Sequence, residues 1–114
     1  MSKKKEAEAR QQEFQEDIRR VKLPRGDQVF GILEQKLGAS RMRVRCLDGN
    51  TRICRIPGSM KRKLWVSEGD LLLVEPWQFG GKEKGNIIFK YKKTQVEWLK
   101  RKGVLKDLAV TEEF

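Results

Sequence analysis

Histidine is absent from this chain of 114 residues, and cysteine occurs only twice, as Cys46 and Cys54. Without histidine, no Cys–His nucleophile pair can be built. Neither cysteine has a partner at CxxC spacing, so the chain offers no zinc site. The acidic residues are scattered singly, and Gly80-Gly81 lacks the rest of a phosphate-binding loop. With no nucleophile–base pair, the sequence reads as a protein that is not an enzyme and needs no cofactor. Long apolar runs are missing as well. None approaches the ~20 residues of a membrane span, and the N-terminus has no apolar block of the secretory type. The expectation is a soluble, cytoplasmic, monomeric protein that makes no membrane contact, with both cysteines buried as small hydrophobes.

Positive charge is what the chain has in excess. It carries 26 basic against 16 acidic residues, a net of +10. Such a field concentrates polyanions and speeds encounter with them. On charge alone RNA, DNA and an anionic membrane remain open as partners. The excess is not in the first 22 residues, where seven basic side chains meet five acidic ones for a net of +2. That stretch has few large apolar residues and cannot bury enough surface to offset its ordering entropy. Residues 1–24 are therefore expected as a flexible charged tail. Phe14, Ile18 and Val21 could line up on a helix if a partner were present.

From residue 25 the pattern becomes that of strands. Pro24-Arg25-Gly26-Asp27 is a turn cluster. Residues 28–36 read as a strand carrying Val29 and Ile32-Leu33, with Gly31 as an expected bulge or bend. Residues 41–47 alternate, with Met42, Val44 and Cys46 on one face and Arg41, Arg43 and Arg45 on the other. Asp48-Gly49 marks a tight turn, and residues 51–56 give a third strand with Cys54 and Ile56 inward. Arg52 shares their phase and spoils the alternation. Pro57-Gly58 breaks the chain and leaves room for one helical turn. Residues 71–75 read as a buried strand, 76–85 as a glycine- and lysine-rich loop, and 86–91 as a fifth strand. Residues 94–101 suggest a short helix with Val96 and Leu99 on one face, stopped by Gly103. The expected fold is all-β, a five-stranded OB-fold barrel over residues 25–92. A short helix and tail over 93–114 and flexible termini complete it. An SH3-like barrel is the rival that strand count does not separate.

Several groups could bind a polyanion. Three like charges along one strand face, at Arg41, Arg43 and Arg45, gain nothing from one another, and an external polyanion would relieve their repulsion. Lys61-Arg62-Lys63 clusters on the connection after strand three, beside Trp65. Its ordinary reading is a solvated charge run, and its functional one is a set of phosphate contacts. Trp65 is expected to be partly buried because Leu64 and Val66 flank it. Trp77 and Phe79, near Lys82 and Lys84, either stack unpaired bases or cap the open end of the barrel.

The ordered elements FGILEQ, RMRVRCLDGNTRICRIPGSMKRKLWVSEGDLLLVEPW and GNIIFKY resemble the translation initiation factor 1A family, most of all its archaeal members. More distantly they are similar to bacterial initiation factor one. The resemblance runs from about residue 25 to 102. Ser59 departs from it, standing where a lysine or arginine is common, and the short C-terminus looks archaeal. The resemblance implies a barrel that docks on small ribosomal subunit RNA near the aminoacyl-tRNA site. It implies that Arg41, Arg43, Arg45, Lys61, Arg62, Lys63 and Trp65 lie toward that RNA. It also implies cooperation with other initiation factors and the initiator tRNA complex in start-site selection. A generic single-stranded RNA chaperone and a structural ribosomal protein are the alternatives. The former usually carries aromatics where this chain has arginines on strand two.

Overall fold

The computed structural model describes residues 15–60 and 64–105. Five strands form a closed barrel: β1 (Val29–Gly38), β2 (Arg41–Cys46), β3 (Thr51–Arg55), β4 (Leu71–Pro76) and β5 (Lys84–Lys90). The order around the barrel is β1-β2-β3-β5-β4, closing back onto β1. All neighbours are antiparallel except β3 and β5, which run parallel from Ile53↔Lys84 to Arg55↔Asn86. This is the expected OB-fold barrel, and the topology excludes the SH3-like alternative. A single 3₁₀ turn, Gly58–Met60, occupies the β3–β4 connection.

The inner phase of each strand supplies the core. Leu33 of β1, Met42, Val44 and Cys46 of β2, Cys54 of β3, Leu72 and Val74 of β4, and Ile87 of β5 pack together with Ile56 and Val66. Both cysteines are free thiols in this core. Burial raises the Cys46 thiol above its ordinary value and pushes Cys54 up to about 12, so neither is poised as a thiolate. In β4, Leu71 through Val74 are all buried, which accounts for its unbroken apolar run. On the other phase of that sheet Phe30, Phe89 and Tyr91 form a second aromatic cluster, with ring centroids 5.5 and 4.8 Å from Tyr91. The Tyr91 hydroxyl donates to the Lys22 carbonyl.

Two backbone positions differ from expectation or carry strain. Gly31 is not a bulge; the irregularities in the β1–β2 ladder fall between Leu33 and Gln35 and between Lys36 and Gly38. Glycine is required at 31 for space, since a Cβ there would lie 2.5 Å from Val44 Cγ1. The β1–β2 turn is tight: Gly38 pairs with Arg41, and between them Ala39 and Ser40 have φ of 50° and 61°. Positive φ at both central residues matches the twist of a hairpin, but favours Asn-Gly over Ala-Ser.

Residues 15–21 and 92–105 form a unit of their own. Within the span expected as a tail, residues 15–19 are helical. The Asp17 carboxylate accepts from Thr94 Oγ1 at 2.8 Å and Lys92 Nζ at 3.1 Å, and Gln95 Nε2 donates to the Asp17 carbonyl at 2.7 Å. These bonds, Thr94 first, hold the Asp17 carboxyl below its ordinary value. The C-terminal helix, Lys93–Arg101, buries Gln95 and Leu99. Its buried face therefore follows i, i+4 spacing from Gln95, and Val96 is only half-buried. Gly103, at φ 77°, ends it, with its N–H donating to the Lys100 carbonyl. Among the described residues no helix is long and apolar enough to cross a membrane.

Gly31 and Val44 make a quantitative test of the packing. Gly31→Ala should destabilise by about 1–3 kcal/mol through overpacking. Val44→Ala should cost about 1–3 kcal/mol through the cavity left by a fully buried side chain. Combined, they should cost clearly less than the sum, because Val44→Ala removes the methyl that the new Cβ meets. Denaturant melts of the four proteins measure this, and strict additivity would refute the contact. At the hairpin tip, Ala39→Asn with Ser40→Gly should raise stability by about 1 kcal/mol, since an L side chain costs roughly that much in the left-handed region.

A candidate nucleic-acid interface on β2, β3 and the β4–β5 loop

The exposed face of the barrel begins with the alternation of β2. Met42, Val44 and Cys46 are buried, and Arg41, Arg43 and Arg45 project outward. The register then carries this face across the sheet. Arg41 stands opposite Arg55, Arg43 opposite Ile53, and Arg45 opposite Thr51. Ile53 is in turn opposite Lys84, and Arg55 opposite Asn86. The outer face of β2, β3 and β5 is thus a continuous patch holding four arginines and a lysine. Among the described residues, Arg45 is the member of this patch with an acidic partner, Glu34, at 3.7 Å between half-exposed side chains. Arg43 Nη1 donates to the neutral amide of Gln35 at 3.1 Å. Like charges directly opposite, as at Arg41 and Arg55, are mildly destabilising without a counter-charge.

Arg55 belongs to this patch although the sequence reading does not single it out. A signal for it exists: it lies in the opposite phase to Cys54 and Ile56. Asn86 is a second addition. Its Oδ1 accepts from Trp77 Nε1 at 3.0 Å, and the Arg55 guanidinium and Lys84 ammonium lie 5.9 and 5.4 Å from the centroid of the Trp77 ring. Trp77 is therefore half-buried, and its indole is a fixed platform beside the patch. Phe79 lies at the tip of the same loop and is 83% exposed. Neither aromatic joins the core cluster. Lys82 is exposed on this loop as well.

Trp65 corrects an expectation. Its apolar neighbours suggest partial burial, but the side chain is 81% exposed. Burial alternates along residues 64–66. Val66 goes into the core and Leu64 packs against it, which leaves Trp65 on the outside. Lys61, Arg62 and Lys63 lie outside the described residues.

Arg52 is the residue whose role the sequence only hints at. It shares the inner phase of Cys54 and is 4% exposed. Its guanidinium forks onto Asp48, Nη1 to Oδ1 at 3.0 Å and Nη2 to Oδ2 at 2.8 Å. Its Nε donates to the Gly81 carbonyl. One side chain thus joins the β2–β3 turn to the β4–β5 loop. The loop is closed by its own bonds too: Trp77 N–H to the Lys84 carbonyl at 3.1 Å, and Ile53 N–H to the Glu83 carbonyl at 2.8 Å. Gly81 packs so tightly that a Cβ would lie 2.4 Å from the Trp77 carbonyl oxygen. In the β2–β3 turn Asp48 Oδ1 also accepts from Asn50 N–H at 3.1 Å.

Among the described residues, no group of three His, Cys, Asp or Glu side chains is placed to hold a metal ion. A groove of about 380 Å³ lies between Arg25, Asp27, Gln28, Glu75, Trp77 and Gln78. Its wall is tied by a long 3.4 Å contact from Gln28 Nε2 to Glu75 Oε2.

The fork has a pH signature. Hydrogen bonding from Arg52, with help from Asn50, holds the Asp48 carboxyl below its ordinary value of 3.8. A carboxyl depressed in the folded state adds stability that is fully present above the unfolded value. That stability is lost as pH falls through the folded one. Wild type should therefore lose stability on acidification below about pH 4 more steeply than Asp48→Asn. Melting temperatures from pH 7 to 2 measure the difference, and parallel curves would show that the fork does not titrate.

Comparison with known proteins shows the family of the chain. The family described as Translation initiation factor 1A / IF-1 matches residues 18–113. Translation initiation factor 1A of Pyrococcus abyssi is 48% identical over 99 residues, covering 87% of this chain and 83% of that protein. Translation initiation factor 1A of Methanococcus aeolicus is 55% identical over 89 residues, covering 76% of this chain and 85% of that protein. The solution structure of translation initiation factor one from the Wolbachia endosymbiont of Brugia malayi is 31% identical, with a TM-score of 0.48. It covers 60% of this chain and 82% of that one. With a match over nearly its whole length and relatives at about half identity, this chain belongs to the translation initiation factor 1A family.

Proposed function

We propose that this initiation factor binds ribosomal RNA of the small subunit near the A site through the outer face of β2, β3 and β5. One observation carries the reading. Arg41, Arg43, Arg45, Arg55 and Lys84 share one face of the barrel, where Glu34 is the one carboxylate within salt-bridge reach of any of them among the described residues. Positive charge that the fold does not use internally is what phosphate oxygens neutralise, and each contact releases counterions. In an OB fold this face and the β1–β2 and β4–β5 loops are where oligonucleotides lie. Phe79 and Trp65 supply exposed rings on which unpaired bases stack, with Trp77 as a fixed edge. Lys61, Arg62, Lys63, Lys82 and Lys84 add phosphate contacts that position the protein without reading sequence.

The factor makes and breaks no bond. It acts in the cytoplasm as a monomer by occupying the site, and thereby aids initiator tRNA recruitment and start-site selection alongside other initiation factors. The barrel, residues 25–92, is the primary RNA-binding domain. Residues 1–22 are a secondary contact that adds avidity by tethering.

The test separates binding from folding. Arg41→Ala with Arg43→Ala should weaken binding to purified small subunits. It should also lower the slope of log K against log salt by about 1.4 to 1.8, the yield of two lost phosphate contacts. The melting temperature should stay nearly constant, since both side chains are at the surface. Chemical footprinting with wild-type factor should protect nucleotides of the A site. Unchanged affinity and salt slope in the double variant would reject this face, and protection elsewhere on the subunit would reject this site.

A further inference from the structure

Arg52 touches no part of the exposed patch, yet it sits beneath the loop that bears Trp77, Phe79 and Lys82. A buried guanidinium is costly unless its donors are met, and here three of them are: two by Asp48 and one by the Gly81 carbonyl. The Gly81 bond spans 29 residues of sequence and links the loop to the inner side of the barrel. Gly81 is also where the loop has no slack, its Cα hydrogens facing the Trp77 carbonyl oxygen. Gly81 thus packs directly against the Trp77 backbone, whose ring Arg55, Lys84 and Asn86 hold.

We infer that Arg52 is a positioning residue for RNA binding: its three-way clamp sets the β4–β5 loop so that Phe79 and Lys82 meet RNA in a fixed geometry. This rests on the reading that the β2–β3–β5 face is the RNA surface. Lysine cannot replace it, because an ammonium offers point donors and no planar fork that reaches Asp48 and Gly81 together. The clamp lowers the ordering cost that a loose loop would incur on binding.

The experiment is a binding cycle on the full chain with purified small subunits. Arg52→Lys should fold, with its melting temperature reduced by a few degrees, and should bind about three- to tenfold more weakly, the scale of one lost hydrogen bond. Phe79→Ala with Lys82→Ala should bind at least about tenfold more weakly. If Arg52 acts through the loop, adding Arg52→Lys to that loop variant should cost little further affinity. Fully additive losses would show that Arg52 serves only the barrel and would overturn the proposal. So would an Arg52→Lys variant with wild-type affinity in the presence of a loop effect. Should Arg52→Lys not fold, Gly81→Ala disturbs the same contact from the loop side and runs the same cycle. Failure of both to fold would overturn the proposal by making the clamp a scaffold element. Arg43→Ala is the control for the underlying reading. If it and the loop variant both bind like wild type, the RNA face itself is wrong and the proposal falls with it. If Arg43→Ala weakens binding and the cycle is additive, only the positioning role fails.

Discussion

A guanidinium stands in this barrel at a position whose neighbours in phase are Cys54 and Ile56. Stripping water from such a group costs several kcal/mol unless charge and hydrogen bonds replace it. Asp48 and Gly81 make that replacement, and the rest of this end of the fold follows from it. The β2–β3 turn must present its carboxylate inward. The β4–β5 loop must fold back far enough to offer a carbonyl. Ile53 N–H then reaches the Glu83 carbonyl, and the parallel β3–β5 pairing begins one residue later at Lys84. Truncating Arg52 would leave the Gly81 carbonyl without its side-chain donor and Asp48 with Asn50 as its remaining partner.

The same arrangement separates the two jobs of the chain. Apolar side chains of one phase make the core, and the opposite phase is left to collect charge. β2 is the clearest case, with methionine, valine and cysteine in and three arginines out. The outward set makes only exposed contacts, Arg43 to Gln35 and Arg45 to Glu34, which add little to internal stability and are consistent with a surface kept for an external polyanion. On the proposed reading, affinity and fold vary separately, except at Arg52 and Gly81, where a single contact belongs to both.

How much of this is legible in the sequence depends on the range of the interactions. The β2 alternation is legible because a period of two with strong chemical contrast leaves one facing. The leucine-and-valine run of β4 is legible as a strand buried on both sides. Trp65 defeats local reasoning because flanking apolar residues suggest shared burial, whereas here Val66 turns into the core and Trp65 turns out. Gly31 reads as a bend because its true reason, a methyl of Val44 on the next strand, is a tertiary contact. Arg52 breaks the pattern visibly, but its partners lie 4 and 29 residues away, beyond what local spacing can pair. The helical turn at 15–19 depends on Asp17 meeting Thr94, 77 residues on.

The parallel β3–β5 pair also dictates an order of assembly. β1, β2 and β3 form a meander of local contacts, available as soon as residue 55 has been made. Each outer edge of that meander then waits for a distant strand, β1 for β4 and β3 for β5. During synthesis Met42, Val44, Cys46 and Cys54 stand beside two open edges until β4 is complete at residue 76, and beside one until β5 is complete at residue 90. An incomplete chain of this length exposes both a hydrophobic face and unpaired strand hydrogen bonds, the combination that recruits other strands. For this protein, then, the vulnerable moment is the interval of about thirty-five residues between the third strand and the last, when β1, β2 and β3 can pair and the barrel cannot yet close.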